Sequence, residues 1–389
     1  MIIKSAQRAF ILLTQRNVSK FYSGVRKYLP KERLKDFENA WGLNNLIKGP
    51  RIRKKFGKKW GVKIPTHIDI APTTRCNLKC RGCYSSSHES EEDMTVENFE
   101  KIIIEAKELG IFQIAILGGE PFLRKDILPV LEKHKDIAFR LSTNGTLIDA
   151  DILDFLKKSG HVFVFLSLEG FEEETDFWRG DGIYRKVQKS MRLLKQKKIP
   201  FGFSAVIHKK NKDVLMSEEF LDHMERMGNR LGLFFPYGSS GETQYFDLVM
   251  EEKETIKSLE KLESIERKYS MLFKTEGYIS TQKPPKYFLN QGCTTGRNIN
   301  ITPVGFVEPC NGIQFHTANI FEKSLMEIVT SPFYREIYSC TFKIERRCVI
   351  IHEAEQIHEI IQNHNAVGST PTSLPNLHRF LDVRDQTPT

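Results

Sequence analysis

The sequence has no long apolar run near its start. The longest there, Ala9 to Leu13, is five residues, too short for a secretory h-region and far short of the roughly 20 residues of a membrane span. Glycine and proline stand at ordinary levels, 25 and 16 of 389 residues, which excludes a collagen-like or low-complexity chain. Cysteine is scarce and odd in number, seven in all with three inside eight residues, a pattern of metal ligands in a reducing compartment and not of a disulfide framework. Acidic residues are nearly missing from one stretch: residues 1–65 hold 17 Lys and Arg against 3 Asp and Glu, a balance of +14, whereas the other 324 residues carry −5. The net +9 therefore belongs to an N-terminal segment, and the body is mildly acidic. What is present, 40% apolar and 28% charged residues, is an ordinary globular composition with ample surface to bury. A cytoplasmic protein is expected, peripheral to the inner face of a membrane if the basic segment attaches there.

Within the basic segment, Phe10, Leu13, Val18, Phe21, Val25 and Leu29 recur at helical spacing among Arg8, Arg16, Lys20, Arg26 and Lys27, and Pro30 is expected to close that helix. A second basic run interrupted by aromatics follows from Arg51 to Trp60. A solvated helix packing its apolar stripe on the body is one reading. Attachment to an anionic membrane through residues 1–65 is another, worth about 1 kcal/mol per cation near the headgroups. RNA binding is a third, and would make the chain a non-catalytic, metal-stabilised RNA-binding protein.

From Thr66 short β-rich runs alternate with helical windows. Strands are predicted at His67–Thr73, Phe112–Leu117, Ala138–Thr143, Val162–Leu168, Phe201–Ile207 and Leu231–Pro236, with helices between them such as Val96–Leu109 behind a Thr95 cap. Further helices are expected near Asp149–Lys158, Tyr184–Lys195 and Glu218–Met227. Six strands with crossover helices imply an α/β fold with a parallel sheet, open or curled into a partial barrel, whose ligands sit beyond the C-terminal strand ends. The expected organisation is residues 1–65 as extension, 66–245 as catalytic body, 246–290 as helical connector, 291–365 as a second cysteine-bearing region and 366–389 as a disordered tail rich in Ser, Thr and Pro. In the second region a hairpin is predicted from Asn298–Thr302 through Pro303 and Gly305 into Phe306–Glu308, and a last helix at Ala354–Gln362. The acidic runs Glu89–Asp93 and Glu172–Asp176 read as solvated loops without a role.

Directly after the first strand stands Thr74-Arg75-Cys76-Asn77-Leu78-Lys79-Cys80-Arg81-Gly82-Cys83-Tyr84. Three thiols on one loop can hold a cubane iron–sulfur cluster and leave its fourth iron open. An open coordination position at the mouth of a parallel sheet is a reaction site; a structural zinc loop is the alternative.

This pattern resembles the radical S-adenosylmethionine (radical SAM) enzymes, whose signature is C-x₃-C-x₂-C after strand 1 of a partial (β/α)₆, TIM-like barrel. The resemblance covers about Thr66 to Tyr245, and its landmarks follow in order: Gly118-Gly119-Glu120-Pro121 like the GGEP motif, Thr143-Asn144-Gly145 like TNG, Ser167-Leu168-Glu169-Gly170 like S-L-D/E-G, and Arg179. It implies that Cys76, Cys80 and Cys83 ligate a [4Fe–4S] cluster that binds S-adenosylmethionine (SAM). Glu120 and the Gly118–Pro121 backbone would hold the methionine ammonium, and Arg179 its carboxylate. Thr143, Asn144, Ser167 and Glu169 would complete the cofactor site. An electron donor such as flavodoxin or ferredoxin is implied, as is hydrogen abstraction by a 5′-deoxyadenosyl radical. The family often carries an aromatic or His before the third cysteine, where this chain has Gly82, so the adenine contact is sought at Tyr84, Phe235 or Pro236. Cys293, then Gly305 and Cys310, resemble the start of the SPASM or twitch extension, and Cys340 and Cys348 would complete four ligands of an auxiliary [4Fe–4S] cluster. A zinc site or unrelated thiols are the alternative there. The substrate implied is a lipid or isoprenoid if the basic segment marks a membrane, and otherwise a peptide or small metabolite.

Overall fold

The computed structural model describes residues 25–26, 29–88, 92–238, 245–266, 268–275, 297–343, 353–375 and 377–378. Cys293, Cys348 and most of the first predicted helix lie outside the described residues.

Six predicted strands appear as β1 (His67–Ile70), β2 (Gln113–Ile116), β3 (Ala138–Thr143), β4 (Val162–Ser167), β5 (Phe201–Ile207) and β6 (Leu231–Pro236). They are joined by β7 (Leu272–Thr275), β8 (Asn298–Ile301) and β9 (Val307–Glu308) in one sheet of order β7-β6-β5-β4-β3-β2-β1-β8-β9. All neighbours from β7 to β8 are parallel, and β9 returns antiparallel on β8. Two elements differ from expectation. The connector expected to be helical also supplies β7, after its helix Glu252–Glu266, and the predicted hairpin does not stand apart, because β8 pairs in parallel with β1. Ile299 and Ile301 drive this, since both join the same buried core as Ile68 and Ile70.

Strand alternation sorts the side chains onto two faces. Val162, Val164 and Leu166 of β4 pack with the crossover helices, as do Ile68, Ile114 and Phe139 in register with them. Phe163 and Phe165 point the other way and join Leu231 and Leu233 of β6 in a separate cluster. What closes that inner cluster is the N-terminal segment: Val25, Leu29 and Phe37 are buried in it, with Leu34 and Trp41 against it.

Pro30 begins a helix here and does not end one. It is the N-cap of Lys31–Phe37, where its missing N–H costs no hydrogen bond, and a π-helical stretch, Glu38–Lys48, leads into a second helix, Gly49–Trp60. Trp41 donates to the His161 carbonyl at 3.0 Å and Asn44 to that of Asp136 at 2.9 Å. Both carbonyls precede strands, so the segment covers the N-terminal end of the sheet, opposite the strand ends that carry the cysteine loop. The tail differs as well. Val367–Gly368 pairs with Phe315–His316, and Thr370, Ser373 and Leu377 are buried.

Candidate functional site

The cysteine loop leaves β1 held by an acidic residue that the sequence reading dismissed. Asp93 accepts the Thr73 hydroxyl at 2.5 Å and pairs with the Arg75 guanidinium. Burial works to raise its pKa, yet the bonds from Arg75 and Thr73 hold it below the ordinary carboxylate value. The segment after β2 then pairs with the loop: Gly119 N–H donates to Thr73 O and Glu120 N–H to Arg75 O, each at 2.9 Å. A Cβ on Gly119 would lie 2.0 Å from Arg75 O, so glycine is required by this approach.

Glu120 is fully buried. Its Oε1 accepts Phe122 N–H at 3.0 Å and the Thr143 hydroxyl at 2.7 Å, and its Oε2 accepts Asn144 N–H at 2.8 Å. Burial raises its pKa against these bonds. The carboxylate thus ties the segment after β2 to the one after β3. Asn144 in turn donates to Asn77 Oδ1 at 2.8 Å and approaches Cys76 Sγ at 3.8 Å, while Leu78 N–H points at the same sulfur at 3.4 Å. Pro121 opens the short turn that follows Glu120, and Ser167 meets Ser204 across β4 and β5 at 3.1 Å.

The second acidic run is a helix, Glu172–Arg179, and it delivers Arg179. Two backbone N–H groups, of Gly182 and Tyr184, donate to Asp176 at 2.7 and 2.8 Å and fix the helix end. Arg179 makes a bidentate pair with Glu169, at 2.6 and 2.7 Å, and its remaining Nη1 lies 3.9 Å from Cys80 Sγ. Burial alone would lower the guanidinium pKa, but the Glu169 charge and hydrogen bond raise it further. The pair is buried, not a surface ion pair, and its engagement with Glu169 leaves one edge of Arg179 for any other anion.

The three thiols are free, and the charges of Cys83 and Cys76 both work to raise the Cys80 pKa. Burial pushes Cys80 up to about 11 against the Arg179 charge, which works to lower it, and burial also raises Cys76. Thiols in this state release their protons on metal binding. Among the described residues no three His, Cys, Asp or Glu side chains converge on a single ion.

Gly82 takes φ +61°, and a Cβ there would meet Tyr237 Oη at 2.8 Å and Trp178 at 3.1 Å. The aromatic surface beside the third cysteine therefore comes from Trp178 and Tyr237, whose rings meet edge to face at 5.2 Å. The expected contacts Phe235 and Pro236 are half-buried at the end of β6, and Tyr84 is half-buried with its hydroxyl beside Gly118 and its pKa raised by burial. Trp178, Asp93 and Asn77 escaped the sequence reading, whereas Tyr237, directly after the sixth predicted strand, is expected at the open end of the sheet on position alone. Asn77, inside the cysteine loop, had a positional signal; Trp178 had none, because its neighbours are distant in sequence. Of the later cysteines, Cys310 and Cys340 are buried, and the Cys340 thiol donates to Glu336 O at 3.4 Å. Cys293 and Cys348 lie outside the described residues.

Residues 70–227 match the profile of the Radical SAM superfamily. The chain is 33% identical over 189 residues to Fe-coproporphyrin III synthase of Methanosarcina barkeri, covering 44% of this chain and 47% of that one. It thus spans about half the length of that relative. It is 24% identical over 270 residues to PqqA peptide cyclase of Bradyrhizobium diazoefficiens, covering 67% of this chain and 70% of that one. Streptococcus suis SuiB shares the fold: bound to S-adenosylmethionine it has a TM-score of 0.63 at 22% identity, covering 75% of this chain and 72% of its own. Bound to its precursor peptide SuiA it has a TM-score of 0.61 at 21% identity, covering 75% and 71%.

Proposed function

From a chain whose residues 70–227 belong to the radical SAM superfamily, we propose an enzyme that reductively cleaves SAM and abstracts a hydrogen atom from a polar substrate. The observation that carries this is the cysteine loop folded against Glu120, Asn144 and Arg179, with N–H groups aimed at Cys76 and Cys80. A [4Fe–4S] cluster held by Cys76, Cys80 and Cys83, together with SAM, supplies one-electron cleavage of the C5′–S bond and the 5′-deoxyadenosyl radical. The chain's own residues do the positioning. The Leu78 N–H and the Asn144 amide donate toward Cys76, which favours its thiolate. Arg179, held by Glu169, offers its remaining edge to a carboxylate, and Glu120 fixes the Gly118–Pro121 backbone beside the loop. Ser167, Thr143 and Asn144 complete the polar wall. Trp178 and Tyr237 close the apolar side of the loop beside Gly82 and keep water from the radical.

For the substrate, a peptide fits better than a lipid. PqqA peptide cyclase is named for a peptide and SuiB binds its precursor peptide SuiA, and the inner face of the sheet beside the site is polar at Asp69, Arg140, Asn298 and Asn300. Cys310 and Cys340, with Cys293 and Cys348, are proposed to hold an auxiliary cluster, and a flavodoxin or ferredoxin to supply the electron. No helix among the described residues is long and apolar enough to cross a membrane. Among the described residues, the exposed basic face of Gly49–Trp60 is the surface that a membrane contact would use.

Anaerobic reconstitution tests this reading. About eight iron per chain and 5′-deoxyadenosine after reduction with SAM are expected, with no product from Cys76→Ala. Continued SAM cleavage by that variant sinks the site assignment.

A further inference from the structure

Four buried oxygen acceptors on one side of the site have no hydrogen-bond partner: Asp69 Oδ1, Asn298 Oδ1, Asn300 Oδ1 and Glu308 Oε1. Their residues are 3%, 3%, 7% and 2% exposed. Strand register makes them neighbours, because Asp69 pairs with Asn300 between β1 and β8, and Asn300 with Glu308 between β8 and β9. The Asn298 amide donates to the other Asp69 oxygen at 3.0 Å, and that of Asn300 to Asn311. Asp69, Asn300 and Glu308 line one cavity together with Thr74, Tyr84 and Gly118. These last three come from the cysteine loop and the segment after β2, so the cavity borders the reaction centre.

Unmet acceptors in a buried wall are costly, and a carboxylate is the costliest of them. Two charged partners stand nearby and neither fills the gap. Arg140 Nη2 is 3.7 Å from Asp69 Oδ1, and His88 Nε2 is 3.5 Å from Glu308 Oε1. Arg140 balances the charge of Asp69, whereas Glu308 faces an imidazole that carries charge when protonated. Because every unmet atom in this set is an acceptor, the complement is a donor group with positive charge. A metal ion would find two carboxylates and the amide oxygens here, with no third His, Cys, Asp or Glu among the described residues converging on them, short of the roughly six to eight oxygens of a calcium site. A water molecule supplies donors but no charge.

We infer that this cavity anchors an ammonium or guanidinium group of the substrate, with Glu308 as counter-ion and Asp69 and Asn300 as further acceptors. The inference rests on the radical SAM reading for its place beside the reacting atoms and adds the substrate class: a molecule carrying an amine or guanidine, of which a lysine or arginine side chain is the peptide form. A charge-assisted contact of this kind fixes one end of the substrate so that a chosen C–H bond faces the radical.

The test uses the full chain, reconstituted with iron and sulfide and loaded with SAM. The probes are n-butylammonium and butylguanidinium, with neutral n-butanol as comparison, read by saturation-transfer NMR. Both cations are expected to bind saturably, at least about tenfold tighter than the alcohol. Glu308→Gln, which keeps the volume and removes the charge, is expected to erase that preference. Asp69→Asn is the second variant, expected to weaken cation binding if Glu308→Gln fails to fold. Equal binding of alcohol and cations, no saturable cation binding, or an undiminished preference in a folded Glu308→Gln protein overturns the inference. Formation of 5′-deoxyadenosine by the wild-type chain without probe is scored separately. Its absence removes the catalytic reading, while the cation preference stands or falls on the NMR result.

Discussion

His208 shows how much a single buried side chain can contribute here. It is fully buried and stacks on Trp178 with ring centroids 4.7 Å apart. Its Nδ1 accepts Lys210 N–H at 3.2 Å, so the ring proton sits on Nε2, which has no hydrogen-bond partner. Charging the ring would spend that acceptor. Burial first, and then Lys210, pushes its pKa down to about 4. A folded-state pKa below the ordinary 6.5 means that the unfolded chain binds the proton more readily. The contribution is thus whole above pH 6.5 and is lost as pH falls toward 4. With an allowance for solvent screening it amounts to about 2 kcal/mol. Urea midpoints of the wild type should fall between pH 6.5 and 4.5, and His208→Phe, which keeps the stacking and removes the titration, should flatten that slope. An equal slope in the variant would show that the pH dependence arises elsewhere. No sequence signal marked His208, because its burial is made by Trp178, thirty positions away.

At the scale of elements, the site is assembled by short segments that follow strands and bind one another through backbone groups. The segment after β2 lies on the cysteine loop at a distance that admits no side chain at Gly119. Gly119→Ala must displace Arg75 or break the bond to Thr73 O, at a cost of roughly 1–3 kcal/mol. The loop is then out of place for its cluster, and reconstituted Gly119→Ala should retain less than about half of the wild-type iron, measured per chain; full iron content would refute the argument. The helix Glu172–Arg179 illustrates what the residue pattern concealed. Its acidic run reads as a solvated loop, yet Glu174 accepts the Phe171 N–H at 2.9 Å and caps the helix, where negative charge also suits the dipole. Asp93 was hidden in the same way, since an exposed-looking carboxylate becomes a loop anchor once Thr73 and Arg75 are brought to it.

At the scale of the molecule, the N-terminal segment divides into a packed part and an exposed part. Phe37 and Leu29 cover Phe163, Phe165 and Leu231, while in Gly49–Trp60 the residues Ile52 and Phe56 face the core and Arg51, Lys54, Lys55, Lys58 and Lys59 face solvent. Removing residues 1–60 would therefore uncover Phe163, Phe165, Leu231 and Leu233, and it is a poor test of membrane attachment. Exchanging Lys54, Lys55, Lys58 and Lys59 for Glu leaves the packed face intact. Stability should change by no more than about 0.5 kcal/mol per site, and co-sedimentation with phosphatidylserine vesicles should be lost if the membrane reading holds. Vesicle binding by the charge-exchanged protein as strong as the wild type's would end that reading.

The sequence by itself determined the parallel α/β order, five helices close to their observed bounds and the place of the cysteine loop directly after β1. These depend on local rules: period-2 and period-3.6 patterning, cap residues, and three thiols within eight positions. Ala138–Thr143, Phe201–Ile207 and Leu231–Pro236 were legible to the residue, because each strand ends where polar or turn residues begin. Tertiary structure alone decided which partners Arg179 and Glu120 hold, that Trp178 and Tyr237 fill the space beside Gly82, and that β8 extends the sheet from β1. It also placed four unmet acceptors in one wall. Each of these depends on contacts between residues tens to hundreds of positions apart. Such contacts are chosen by burial and by the need to pair buried polar groups, and neither leaves a periodic mark in the chain.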